Sequence, residues 1–426
     1  MTLAPLQDPR GFLADLFQTA VAAADPAQVL LQHMPMRPKG RTVVVGAGKG
    51  AAQLAAAFEN LWDGPLEGVV VTRYGYACPT RQIEVLEAAH PVPDEAGLAA
   101  SARLLGAVDG LTADDLVVAL VCGGGSALLP APPDGLTLAD EIAVNEALLA
   151  SGAPIGEMNA VRKHVSRIKG GRLAAAAHPA KVISLIVSDI PGDDPALVAS
   201  GPTVPDRADR ETALVIVERY GMDLPAGVLA HLCSDAANAP HPDDPVFARH
   251  EVKVVASARL SLEAAAARAR EAGIEAQILS DAIEGEARDI GRMHGAIARE
   301  VALQERPFKT PVVLLSGGET TVTVRAKGRG GRNSELALAM ARDLQGLGHR
   351  VTALAADTDG IDGTEDNAGA FVDGTTVERL VAESIDLAAA LAANDAWGAF
   401  DTLGDLFVTG PTGTNVNDFR AILITG

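Results

Sequence analysis

Short apolar runs rich in valine and isoleucine recur along this chain, several of them followed by glycine or aspartate and most then by an Ala- and Leu-rich stretch. Runs of this kind read as strands and the longer Ala/Leu stretches as helices. The first is Arg41–Val45, which enters Gly46-Ala47-Gly48-Lys49-Gly50 and a helical segment from Ala51. Others follow at Gly68–Arg73, Ile83–Ala89, Leu116–Val121, Val182–Asp189 and Val252–Ala256. Strands alternating with helices predict an α/β fold with a parallel sheet covered on both faces, whose ligands gather beyond the carboxyl ends of the strands. Proline and aspartate interrupt residues 206–245, so a domain boundary is expected near their end, giving 1–245 and 246–426. Further strands are predicted at Ile274–Leu279, Val312–Leu315, Thr320–Arg325, Val351–Ala355, Leu406–Thr409 and Arg420–Ile424. Met1–Ala24, with Asp8, Arg10 and Asp15 among apolar residues, predicts an amphipathic helix and not a secretory signal.

The densest stretch is Leu314–Ala341. A strand breaks at Gly317-Gly318-Glu319, and Thr321, Thr323 and Arg325 then alternate with Val322, Val324 and Ala326 as in a half-buried strand. Gly328, Gly330 and Gly331 follow, and Arg332-Asn333-Ser334 opens a helix. Glycines allow backbone amides close to an anion, and the first helical turn leaves its N–H groups unpaired. With the Arg332 guanidinium beside it, the stretch reads as an oxyanion site; a hairpin followed by an ordinary helix cap is the competing reading.

Charge sharpens this picture. The 426 residues carry a formal net charge of -20, against broad binding to nucleic acid or an anionic membrane. An anionic substrate then depends on a few local cations, such as Lys49, whose place on a helix start is otherwise unfavourable. Glu157–Ala177 carries Arg162, Lys163, His164, Arg167, Lys169 and Arg172 and is expected to be mostly a solvated face. Cys78, Cys122 and Cys233 are widely separated and read as small buried hydrophobes. The longest uncharged run, Leu116–Pro133, is broken by glycine and proline, so no membrane span is expected and a cytoplasmic protein is.

The remaining candidate loops all follow predicted strands. Gly123-Gly124-Gly125-Ser126 could cradle a phosphate or could be a plain tight turn. Asp189 suits Mg²⁺ or a turn cap equally. Gly46, Gly48 and Ala51 fit a loose dinucleotide fingerprint, but Arg73 stands where NAD would want a carboxylate, leaving NADP open.

Taken in order, VVVGAGKGA, AAHPVPDE, CGGGSALL, IKGGRLA, SDIPGDD, SGPT, LLSGGETTV, GGRNSELAL, DTDGIDG and GPTGTNVNDF make a set that resembles the class II glycerate kinases over about Val43–Ile424. The resemblance implies a Rossmann-like N-terminal domain and a smaller C-terminal α/β domain of the MOFRL type, with the active site in the cleft between them. It implies an ATP-dependent kinase that phosphorylates D-glycerate at the 2-hydroxyl with Mg²⁺, glycerate and nucleotide being its partners and a homodimer left open. Lys49 and Arg332 match the family's active-site lysine and arginine. Gly46, Gly48, Gly124, Gly125, Ser126, Gly317, Gly318 and Asn333 are the expected substrate and phosphate contacts, and Asp189, Asp193, Glu319 and Asp359 the candidate metal ligands. Cys122, Asp357 and Ser334 depart from the family pattern. The alternative is an NADPH-dependent hydroxypyruvate reductase, a name such proteins often carry.

Overall fold

A computed structural model describes residues 5–426; the first four residues, which the expected N-terminal helix included, lie outside the described residues. The chain divides into two compact units, Pro26–Val255 and Ala256–Gly426 together with the N-terminal residues up to Asp25. This differs at both ends from the expected division at 245. The helix Pro9–Ala22, capped by the Asp8 carboxylate, buries Phe12, Leu13, Leu16 and Phe17 in the same apolar cluster as Leu262, Leu315, Leu354 and Phe419 of the C-terminal unit. Each such side chain contributes about 1.5–3 kcal/mol on burial, which outweighs distance along the chain. The strand His250–Ala256 joins the sheet of the first unit. Among the described residues no helix is long and apolar enough to cross a membrane.

The unit that carries Lys49 is built on β1 (Thr42–Ala47), β2 (Glu67–Arg73), β3 (Ile83–Ala88), β4 (Leu116–Cys122), β5 (Lys181–Val187) and β6 (His250–Ala256), in the order β3-β2-β1-β4-β5-β6. The registered pairs β3–β2, β2–β1, β1–β4 and β4–β5 are parallel. Val43, Val45, Val117, Val121 and Ile186 form one side of the core against Leu104, Leu128 and Leu173. The direction of winding reverses between β1 and β4, and in such sheets that reversal opens a crevice at the carboxyl ends of the two strands. Lys49 follows β1 and the Gly123–Ser126 loop follows β4.

The expected solvated face at Glu157–Ala177 is corrected by the structure. The helix Ile155–His164 ends before Arg167 and Lys169, so these do not share a helix face with Arg162 and Lys163. Lys163, His164 and Lys169 are buried, Lys163 paired with Asp206 and Lys169 with Glu141 at 2.5 Å. Arg167 alone keeps the expected character, exposed beside Asp134. Buried ammonium groups require such partners, because an unpaired charge out of water is strongly disfavoured.

The unit that carries Arg332 has a mixed sheet. Its strands are β7 (Glu275–Ser280), β9 (Val312–Gly318), β11 (Gly348–Asp357), β12 (Gly369–Gly374), β13 (Leu406–Phe407) and β14 (Asp418–Ile424), ordered β13-β12-β11-β14-β9-β7; β8 (Gly285–Glu286) and β10 (Thr320–Thr321) form a separate short pair. Only β7–β9 is parallel among its registered pairs. The strand expected over Thr320–Arg325 stops at Thr321, and Val324 is exposed, because Arg325 N and Ala326 N donate to the Asn394 side chain and not to a neighbouring strand. Since β14 runs against both β9 and β11, its first residue lies opposite their last: Asp418 faces Gly318 on one side and Asp357 on the other.

Candidate active site

In the Lys49 unit the turn after β1 is pinned to the turn after β4. Lys49 N donates to Gly123 O at 2.9 Å, Gly50 N to the Cys122 Sγ at 3.2 Å, and Thr72 Oγ1 to Lys49 O at 3.0 Å. Gly48 has φ 135°, and a Cβ there would lie 2.3 Å from Cys122 O, so only glycine fits. Burial pushes the Cys122 thiol up to about 12, which leaves it a hydrogen-bonding wall and not a nucleophile. Gly46 lies within β1, where a Cβ would meet Leu120 O at 2.4 Å; its smallness serves the sheet.

The Lys49 side chain runs over Gly124. A Cβ at Gly124 would sit 3.0 Å from Lys49 Cγ and 3.2 Å from both Lys49 Cε and His90 Nε2, which brings amine and imidazole to one glycine. His90, just beyond β3, is lowered to about 4, first by desolvation and then by Lys49 and Arg73, so it is neutral at pH 7. The Asp189 carboxylate lies against Gly123, where a Cβ would be 1.8 Å from Oδ2. Ser126 Oγ is 2.7 Å from Ser200 Oγ, and Gly125 packs on Ala199. Asp193 has φ 56° in the turn Ile190–Asp193. Lys49, Gly124, Gly125, Ser126 and Asp189 thus share one loop cluster, and Lys49 is in no ion pair among the described residues.

The Arg332 unit holds a second cluster. Arg332 is the first residue of the helix Arg332–Leu344, and its guanidinium meets three carboxylates: Nε to Asp418, Nη1 to Glu319 and Nη2 to Asp357, each at 2.7 Å. Burial opposes its charge, but Asp418, Asp357 and Glu319 together outweigh that and hold it more firmly protonated than usual. Burial likewise opposes ionisation of Asp418, yet Arg420 and Arg332 bring its carboxyl below the ordinary range. Asp357 is pushed well above its ordinary value by burial, against the pull of Arg332 and with Asp359 and Asp418 adding to the rise. Like carboxyls facing each other across a strand pair disfavour double ionisation, and one of them takes the shift.

The free amides expected at this helix start have a partner inside the chain. Asp362 accepts from Asn333 N at 2.9 Å, Ser334 N at 2.8 Å and Ser334 Oγ at 2.5 Å. The oxyanion on the first turn is therefore the protein's own carboxylate. Asn333 is fully buried, its Nδ2 donating to Asp418 at 2.9 Å while its Oδ1 lacks a partner. Gly318 accommodates Ile283, whose backbone a Cβ would approach to 2.3 Å, and Ile283 N donates to Gly317 O at 3.1 Å. Asp359 Oδ1 accepts from Ile361 N at 2.8 Å within its own turn. Among the described residues no group of three or more His, Cys, Asp or Glu side chains is placed to hold a metal ion. A cavity of ≈ 780 Å³ in this unit is lined by Glu284, Glu319, Thr320, Gly331, Arg332 and Asn394, among others.

Asp418, Asp357 and Asp362 as partners of the Arg332 turn, and His90, Asn159 and Ser200 near the Lys49 loop, were not assigned from sequence. Asp418 stood inside a quoted motif, but its partner is 86 positions away and nothing local marks the pair.

Comparison with known proteins adds the family. A domain of unknown function, DUF4147, matches residues 12–233, and the MOFRL family matches residues 312–418. A protein of Agrobacterium vitis named provisionally as a hydroxypyruvate reductase is 52% identical over 97% of this chain and 94% of its own length. The D-glycerate 2-kinase of Thermotoga maritima is 39% identical over 96% of this chain and 97% of its own. A crystal structure of glycerate kinase from the same organism superposes with a TM-score of 0.89 at 37% identity, covering 98% of this chain and 100% of that one.

Proposed function

We propose, for a chain that belongs to the MOFRL-containing glycerate kinase family, ATP-dependent phosphorylation of D-glycerate at its 2-hydroxyl, giving 2-phosphoglycerate and ADP. The observation that carries this reading is Lys49: an ammonium without an ion pair among the described residues, on a glycine turn at the reversal of a parallel sheet, in a protein of net charge -20. Phosphoryl transfer asks the protein for alignment and charge neutralisation more than for covalent chemistry. Lys49 supplies an uncommitted charge for the glycerate carboxylate or the transferring phosphoryl oxygens. Arg332 supplies a fixed one, because Asp418 and Asp357 lock two of its edges from buried positions. Its third edge meets Glu319, whose side chain is 52% exposed and is the partner an incoming anion exchanges with most readily.

ATP is the phosphoryl donor in this reading, and Mg²⁺ enters with it. Mg²⁺ keeps much of its water shell and needs only one or two carboxylates besides the phosphates, so it does not require the three-carboxylate cage that the described residues lack. Asp189, at the loop that holds Lys49, is the first candidate ligand, with Asp193, Glu319 and Asp359 behind it. When bound there, the ion would supply charge neutralisation for the transferring phosphoryl group. His90 stays uncharged and lines the same glycine. The protein is expected to work in the cytoplasm.

A reductase reading draws on the name of the Agrobacterium vitis relative. Gly48 speaks against it: the space that a dinucleotide fingerprint reserves for pyrophosphate is filled here by Cys122 O and Sγ. The deciding experiment incubates the protein with ATP, Mg²⁺ and D-glycerate and follows products by phosphorus NMR, where 2-phosphoglycerate is expected. NADPH oxidation at 340 nm with hydroxypyruvate alone, and no phosphoglycerate, would overturn the proposal.

A further inference from the structure

Resting on the kinase reading, we infer that Ser200 and Asn159 orient the Ser126 hydroxyl as a pure hydrogen-bond acceptor, and that Ser126 thereby receives a hydrogen bond from a hydroxyl of the glycerate substrate.

The direction of each bond in this chain follows from its neighbours. Asn159 is buried, and its Nδ2 donates to Leu197 O at 3.1 Å, a carbonyl that can only accept. Its Oδ1 faces Arg162 Nη1 at 3.2 Å, a group that can only donate, so the amide has one orientation. Arg162 is itself held by Asn145 Oδ1 at 2.8 Å. The Asn159 oxygen therefore takes the single hydrogen of Ser200, whose Oγ lies 2.8 Å away. With that hydrogen committed, Ser200 Oγ can only accept from Ser126, 2.7 Å distant. The Ser126 hydrogen is in turn committed, and only lone pairs remain for a ligand.

The backbone around Ser200 is set up at a cost. Ala199, Ser200 and Gly201 have φ of 53°, 59° and 57°, three successive left-handed residues, two of them with side chains. Gly170 N and Gly171 N hold the run by donating to Ser200 O at 3.0 Å and Gly201 O at 2.7 Å. Ser126 itself is half-buried, two residues beyond the glycine over which Lys49 runs. An acceptor there gains nothing from a phosphate or carboxylate oxygen, which brings no hydrogen. It gains a bond from an alcohol. Lys49 serves the anionic part of the substrate and Ser126 its hydroxyl, so the loop discriminates glycerate from an acid in which that hydroxyl is an oxo group.

The test uses the full chain, with Ser126→Ala, Ser126→Thr and Ser200→Ala. Initial rates give KM for D-glycerate and ATP; D-lactate and 3-hydroxypropionate, each lacking one hydroxyl of glycerate, are scored as competitive inhibitors. Loss of one neutral hydrogen bond is expected to raise the glycerate KM of Ser126→Ala about tenfold, with ATP KM within about twofold of the parent. The inhibition constant of the analogue that lacks the contacted hydroxyl should stay unchanged in this variant, and Ser126→Thr should restore the parent behaviour. Ser200→Ala should raise glycerate KM while ATP KM holds; if it does not fold, the two Ser126 variants carry the test. A rise in ATP KM in place of glycerate KM, an equal effect on all three acids, or no effect in Ser126→Ala would overturn the inference. Failure of the parent protein to transfer phosphate to glycerate would instead overturn the kinase reading.

Discussion

The two cations proposed for catalysis are held in opposite ways, and replacing each by methionine should separate activity from stability. Lys49 makes no ion pair among the described residues, so Lys49→Met strands no charged partner there and should leave stability within about 0.5 kcal/mol. Arg332→Met leaves Asp357, 7% exposed, without its cation and takes from the fully buried Asp418 one of its two arginines, Arg420 remaining. Removing one member of a buried pair costs about 3–5 kcal/mol, because the remaining charge stays out of water. Glu319 is half-exposed and adds at most about 1 kcal/mol. For a unit of this size each kcal/mol moves the melting temperature by roughly 2–4 °C, so Arg332→Met should melt about 6–20 °C below the parent. Adding Asp357→Asn to Arg332→Met should recover part of the loss. Both single variants should turn over at least about a hundredfold more slowly, the effect of deleting a group that stabilises transition-state charge. The measurements are calorimetry and ADP release at saturating substrates. An Arg332→Met protein melting within about 2 °C of the parent would refute the reasoning, as would a Lys49→Met protein that melts as low as the arginine variant.

Gly48→Ala should abolish activity and lower expression, since φ 135° and a 2.3 Å approach to Cys122 O leave no room, whereas Gly50→Ala, with Cys122 Sγ at 3.7 Å, should behave as the parent; equal behaviour of the two would contradict the pinned turn. Stability should also fall with acid above the carboxylate range. His90, His250 and His294 are lowered to about 4, each mainly by burial, so the unfolded chain takes up protons near 6.5 that the folded one refuses. Their contribution is complete above about pH 6.5 and is lost as pH falls toward 4. Melting temperatures measured across this window should drop, and His250→Gln with His294→Gln should flatten the slope; a parent whose melting temperature is level from pH 7 to 4.5 would count against it.

Much of this molecule was legible without coordinates because its signals are local. Strand periodicity placed β1 to β6 within a residue or two, and the glycines after β1 and β4 announced that the chain turns where a parallel sheet binds ligands. Lys49 stood out as a candidate for the same reason: a cation on a helix start has a local cost that its neighbours do not remove. β12, Gly369–Gly374, was missed, since it begins and ends in glycine, and it is fixed by pairing on both sides. The acidic surroundings of Arg332 left no local trace, because Glu319, Asp357 and Asp418 are brought together by the antiparallel placement of β14 between β9 and β11.

The amino-acid order by itself determined where chain segments extend, coil and turn, since those choices depend on the period of apolar side chains and on the backbone freedom of glycine and proline. Tertiary structure alone decided which charges meet. Lys163 and Lys169 went inside because Asp206 and Glu141 were there to meet them, the helix Pro9–Ala22 joined the far unit through its apolar face, and Asp362 took the amides ahead of any ligand. Partner choice in a folded chain depends on distance through space and on the loss of water around each group, and neither quantity is written in the spacing of residues along the polymer.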